Sequence, residues 1–210
     1  MPKRKPKRAV KKKSPLYVIL VLGVIALFAV VYSYRGAALV NASADDDPSL
    51  GSENAPVTMI MFSNYACSFS RDFWQDTFPL LKQQYIDTGK IRFVFRDFPV
   101  QTPGVIDSSL AAECADDQGK FWEYNNALVN SVRIDKDSLK EYASDLGLDT
   151  EQFNSCLDSQ QRLAEVRKDF SNGVSYGVRG TPTFFINGLR VEGGESFSFF
   201  AQLIEKELAK

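Results

Sequence analysis

VTMIMFSNYACSFSRDFW, residues 57–74, is the stretch that decides how this 210-residue chain is read. Val57 to Phe62 is a short, mostly apolar run and predicts a buried strand. A helix is expected to begin near Cys67 or Phe69, because Phe73, Thr77, Leu80, Leu81 and Gln84 recur at helical spacing. Pro79 falls inside that pattern and predicts a kink. Cys67 therefore stands where a strand runs into a helix. Unpaired backbone N–H groups and the positive end of the helix dipole meet there. Both favour a thiolate and lower a thiol pKa below its free value of about 8.5. Ser70 is placed to donate a hydrogen bond across the first turn, and Arg71 adds a nearby cation. This is where a redox dithiol would sit, yet position 70 carries a hydroxyl in place of the second sulfur.

What the chain lacks narrows the chemistry. It has no histidine, which removes Ser-His-Asp and Cys-His catalysis and the commonest transition-metal ligand. No glycine-rich phosphate loop follows a strand. Asp116 and Asp117 diverge on a helix and do not make a carboxylate pair. No cofactor and no metal site are expected. Three cysteines remain, an odd number, so any pairing leaves one over. Cys114 and Cys156 both lie mid-helix. Either they clip the helices together, closing a loop of about 40 residues for about 3–4 kcal/mol, or they are small buried side chains that never meet. Cys67 is then the free thiol.

Outward from this stretch, Ile91 to Phe95 predicts a second strand, closed by RDFP. Residues 103–176 read as helical throughout, with TEQFNSCLDSQQRLAEVRKDF (150–170) as one element. TPTFFINGLRV (181–191) predicts two short strands joined by Asn187-Gly188, a strong hairpin signal. ESFSFFAQLIEKELAK (195–210) closes the chain as an amphipathic helix. The order β-α-β, helical block, β-β-α predicts an α/β fold with helices on both faces of a small mixed sheet.

The N-terminus is different in kind. Residues 1–35 carry nine lysines and arginines and no acid, which leaves the rest of the chain at about −10. Nucleic-acid binding by that acidic remainder is not expected. Residues 1–15 read as a basic cytoplasmic tail. Residues 16–34, LYVILVLGVIALFAVVYSY, are charge-free and as a helix would reach roughly 28 Å, near a bilayer's hydrocarbon thickness. They predict a single-pass transmembrane anchor with the C-terminal domain outside the cytoplasm. The alternative is secretion after cleavage near Ala44, where Ala42-Ser43-Ala44 fits the small-x-small rule. Residues 35–52 read as a linker whose Asp45-Asp46-Asp47 triplet is merely solvated, and residues 53–210 as the folded domain.

The domain resembles the DsbA-like thiol-disulfide oxidoreductases of the thioredoxin superfamily. The resemblance is carried by LGSENAPVTMIMFSNYACSFS (50–70), RDFP (96–99), AAECADDQGKFWEYNNAL (111–128), FNSCLDS (153–159) and GVRGTPTFFING (177–188). It implies a thioredoxin-like fold with an inserted helical block. It implies that Thr181-Pro182 is a substrate-docking loop with a cis proline facing the active cysteine. Cys67 matches the family's nucleophile, and Cys114 and Cys156 match positions that form a second, non-catalytic disulfide in some relatives. Ser70 departs from the pattern, and Ser68 and Phe69 stand between the two positions, where relatives often hold a histidine. A monothiol cycle through mixed disulfides survives that departure. The partners implied are exported client proteins with cysteines and an external thiol or redox partner. The alternative is a redox-inactive peptide-binding chaperone or assembly module.

Overall fold

The computed structural model describes residues 39–99 and 102–210, so the expected transmembrane segment lies outside the described residues. Among the described residues no helix is long and apolar enough to cross a membrane. The sheet has five strands: β1 (Ser49–Leu50), β2 (Val57–Ser63), β3 (Ile91–Asp97), β4 (Thr183–Ile186) and β5 (Leu189–Glu192). Their spatial order is β1-β3-β2-β4-β5. β2 and β3 run parallel, with Val57 opposite Ile91 and Ser63 opposite Asp97, and the other neighbours pair antiparallel.

A parallel central pair needs a crossover, and the helix after Cys67 supplies it. Covering both faces makes the central strands apolar throughout. In β2, Met59 and Met61 face one cluster while Ile60 and Phe62 face another; in β4, Phe184 and Ile186 oppose Phe185 in the same way. The β4–β5 hairpin turns at Asn187 (φ 45°) and Gly188 (φ 86°), the left-handed pair that a two-residue turn demands.

The crossover is α1 (Ser68–Asp72), a π-helical turn (Phe73–Thr77), α2 (Phe78–Leu81) and a second π turn (Lys82–Ile86). The interruption expected at Pro79 takes this form: a change of hydrogen-bond pattern where the ring has no N–H to give. The π turn rotates Phe73 and Trp74 into the core, where Phe73 meets Phe184 at 4.7 Å and Trp74 meets Phe78 at 4.2 Å between ring centroids.

Between β3 and β4 lie α3 (Pro103–Asp116), α4 (Phe121–Val129), α5 (Lys136–Asp145), α6 (Thr150–Asp158) and α7 (Leu163–Ser175). α8 (Phe197–Leu208) follows β5. This is the thioredoxin-like arrangement with a helical insertion that the resemblance implied. The segment read as one helix over 150–170 is two. Gln160 adopts φ 54° between them, a conformation a continuing helix excludes. α5 and α6 begin on Asp135 and Asp149, whose carboxylates accept first-turn N–H groups.

The linker expected over 35–52 is, for its described part, domain. Val40, Ala42 and Ala44 pack on the second cluster beside Phe170 and Tyr176, and β1 adds an edge strand that sequence reading missed. The acidic triplet is not simply solvated. Asp47 is buried against the guanidinium of Arg96, Nε to Oδ2 2.8 Å, while Asp45 and Asp46 meet Lys168 at 2.9 and 2.8 Å. Arg96 is wholly buried, holds Asp169 as well, and donates to the Ser43 carbonyl at 3.0 Å. An arginine in that position must be matched by nearby carboxylates, and the triplet provides Asp47 and, at 3.6 Å, Asp45. Asp47, Glu165 and Asp169 bring carboxylate oxygens within 4.8 Å of one another, and the positive charge beside Asp47 and Asp169 is Arg96's own.

Candidate active site

β2 ends at Ser63, and three residues carry the chain to Cys67, the N-cap of α1 (φ −81°, ψ 118°). Asn64 organises this turn. Its Oδ1 accepts from the Ala66 N–H at 3.1 Å, and its Nδ2 donates to Thr181 Oγ1 at 2.9 Å and to the Phe98 carbonyl at 3.4 Å. One buried side chain thus ties the cysteine turn, the end of β3 and the loop before β4 together. The Thr181-Pro182 peptide bond in that loop is cis. Cys67 Sγ lies 3.0 Å from the Thr181 carbonyl, to which the thiol donates. The two expected halves of the site, Cys67 and Thr181-Pro182, are therefore in contact. A cleft of about 260 Å3 opens at the Thr181-Pro182 loop, lined by Arg179, Gly180, Thr181, Pro182, Glu192 and Gly193 among others.

The Cys67 thiol is partly exposed, and its pKa is lowered. Burial alone pushes it up. Thr181, the N–H groups of Ser70 and Phe69, and the nearby Ser70 hydroxyl outweigh that. The Thr181 carbonyl favours the protonated thiol. The Thr181 hydroxyl already accepts from Asn64 and keeps its own proton free to donate. Ser70 is 1% exposed, and its hydroxyl has no hydrogen-bond partner at full geometry. We attribute its effect on the sulfur to a dipole at close range rather than to a formed hydrogen bond. Beneath the site, burial pushes the Asp97 carboxyl up to about 8 and Glu113 to about 9. Ser109 donates to one oxygen of Asp97, and the other has no hydrogen-bond partner.

A thioredoxin family model matches residues 43–206. The chain belongs to the thioredoxin family, in its DsbA-like branch of thiol-disulfide oxidoreductases. Disulfide bond formation protein D of Bacillus subtilis is 27% identical over 178 residues, 79% of each chain. The crystal structure of oxidised BdbD from Bacillus subtilis superposes with a TM-score of 0.77 at 25% identity, covering 84% of this chain and all of that one. That of Wolbachia pipientis alpha-DsbA1 has a TM-score of 0.70 at 26% identity, over 77% of this chain and 90% of its own. A Na(+)/H(+) antiporter NhaA of Herminiimonas arsenicoxydans is 31% identical over 147 residues, which are 68% of this chain and only 22% of the antiporter.

Within this DsbA-like domain, the three cysteines divide. Cys114 on α3 and Cys156 on α6 are joined by a disulfide, Cα–Cα 5.9 Å. Cys67 is free. Arg71 lies one turn beyond Cys67, its N–H bonded to the Cys67 carbonyl at 3.1 Å, so the two share a helix face. Sequence reasoning missed Asn64. Its only signal was an amide placed three residues before the cysteine, where a turn must form, and nothing local revealed that it would reach residue 181.

Proposed function

We propose that this protein is a membrane-anchored, extracytoplasmic thiol-disulfide exchange protein that works as a monothiol through Cys67. The observation that carries this is the sulfur's position. It is partly open to solvent, has a lowered pKa, touches the Thr181 carbonyl, and has no second sulfur at position 70. The other two cysteines are spent on each other. Cys67 attacks a client disulfide and forms a mixed disulfide; a further thiol then resolves it. Ser70 cannot do so, because exchange needs a thiolate and a hydroxyl stays protonated at neutral pH. The backbone of Thr181 beside the cleft offers an extended client segment a place to pair. Residues 16–34 serve as the anchor. Cleavage near Ala44 would remove Val40, Ala42 and Ser43, which pack or hydrogen-bond within the domain, and retention of the segment is therefore favoured.

The test is capture. The full chain, purified without reductant, is examined by mass spectrometry for clients linked at Cys67, and is then mixed with a disulfide-scrambled client. Captured adducts and recovery of client activity are expected, both lost in Cys67→Ala. If Cys67→Ala assists refolding as well as the parent and no adduct forms, the redox reading fails and the peptide-binding module takes its place.

A further inference from the structure

The turn that delivers Cys67 is Asn64-Tyr65-Ala66, closed where the Cys67 N–H meets the Asn64 carbonyl at 3.3 Å. Asn64 ties this turn to residues 98 and 181. Tyr65, its neighbour, ties it elsewhere. The buried Tyr65 ring stacks on Phe95 of β3 with centroids 5.7 Å apart, and its hydroxyl donates to Asn125 Oδ1 of α4 at 3.2 Å. Phe121, one turn before Asn125 on the same face of α4, meets that same Phe95 ring at 5.5 Å. Burial, with the Asp97 and Glu113 carboxyls nearby, pushes the Tyr65 phenol well above its ordinary value, so the hydroxyl keeps its proton and stays a donor. Asn125 is buried too. A phenylalanine ring and an apolar side chain would fill this space. A hydroxyl and an amide there cost stability unless they meet each other. Once met, they hold the parts they join in one arrangement.

We infer that Asn125 is a positioning residue for Cys67, acting through the Tyr65 hydroxyl. This rests on the reading of Cys67 as the nucleophile. Adjacent residues of one short turn bond to two different elements, Asn64 to the loop before β4 and Tyr65 to α4. With the Asn64 bonds alone the turn can pivot about them, and Sγ then shifts against the Thr181 carbonyl that stands 3.0 Å from it. A client segment held on the Thr181 backbone presents its disulfide in a fixed place. Attack on it is therefore sensitive to displacement of Sγ by about 1 Å. A small disulfide held by nothing turns to meet the sulfur wherever it lies. α4 carries neither bonded cysteine, since the bridge joins α3 to α6, so this support is separate from the bridge. Asn125 touches neither the sulfur nor the docking loop; its effect passes through Tyr65 to a residue two positions along the chain.

The experiment compares two disulfides on the full chain: a short peptide whose single cysteine carries a 2-thiopyridyl group, and 2,2′-dithiodipyridine, which has no peptide to align. With either, the Cys67 thiolate bonds to one sulfur and pyridine-2-thiolate leaves with the electron pair. Rates are taken on the pH plateau, where Cys67 is fully ionised and its pKa drops out, and below the melting temperature of every variant. In Tyr65→Phe and in Asn125→Leu, the peptide rate relative to that of the small disulfide is expected to fall about tenfold. The double variant leaves neither polar group unpaired. Its melting temperature should return towards the parent's, while its relative peptide rate stays low. A relative rate that holds within about twofold in either single variant overturns the inference. So does a double variant whose relative peptide rate returns to the parent's, because the pair is then structural alone. Any ionised thiol attacks these activated disulfides, so the ratio is read whether or not native clients are exchanged. Loss of capture from native disulfides removes the monothiol reading, while the ratio judges the positioning.

Discussion

The helical block and the mouth of the sheet use the same element in opposite ways. Cys114 and Cys156 are 1% and 3% exposed, each in the last turn of its helix rather than mid-helix as expected, within the apolar cluster and bonded to each other. Cys67 stands at a helix start, partly open, facing N–H donors and a carbonyl. Burial between helices suits a sulfur to a structural cross-link; placement at an N-terminus with one side left open suits it to the nucleophilic role proposed above. The contrast lies in surroundings, since all three residues are cysteines.

The contrast is broken most severely by removing the free sulfur. Cys67→Ala should abolish mixed-disulfide formation, at least about a thousandfold in exchange with a peptide disulfide, because no other group supplies a thiolate. Its melting temperature should stay within about 3 °C of the parent, the equivalent of roughly 1 kcal/mol in a domain of this size. The reverse pattern belongs to the other pair. With 42 residues separating them, replacing both Cys114 and Cys156 with alanine should cost about 4 kcal/mol in denaturant unfolding by the chain-entropy argument. The exchange rate at Cys67 should stay within about twofold, and a larger loss would mean the helical block shapes the site.

Asn64→Ala sharpens the comparison, since it loosens the reactive site without touching a sulfur. Loss of its bonds to Ala66, Thr181 and Phe98 leaves buried groups unpaired, at about 1–3 kcal/mol of stability. Exchange should slow by about tenfold, visible as a reduced rate of peptide capture. The smallest effect concerns pH. The folded Cys67 pKa is lowered, so its alkylation rate should climb with pH and level off earlier than for an ordinary thiol. Ser70→Ala removes one of the groups favouring the thiolate. It should move that plateau to higher pH and slow alkylation at pH 7 by about threefold, the effect of losing one nearby dipole. A plateau that does not move would mean that the Phe69 and Ser70 N–H groups alone hold the charge.

Much of this was written locally. The strand-to-helix junction at Cys67 could be read from an apolar run followed by helical spacing, and the β4–β5 turn from Asn187-Gly188, because backbone conformation answers to neighbours in the chain. The missing sulfur at position 70 needed no structure at all. The N-terminal border of the domain was misread for the opposite reason. Asp45-Asp46-Asp47 resembles a solvated run until Arg96, some fifty residues away, is found buried and calling for negative charge. The break at Gln160 was missed because helical periodicity runs on through it, while packing of α6 and α7 in the block requires a turn.

By itself, then, the sequence determined the order of the central strands and the crossover helix, and the missing sulfur at position 70. Tertiary structure alone decided that Thr181 stands 3.0 Å from that thiol, that Asn64 holds the two together, and which side of the sulfur remains open. These are contacts across more than a hundred residues of chain. They arise from how the sheet's neighbouring strands bring distant loops to one edge, and no local pattern carries that information.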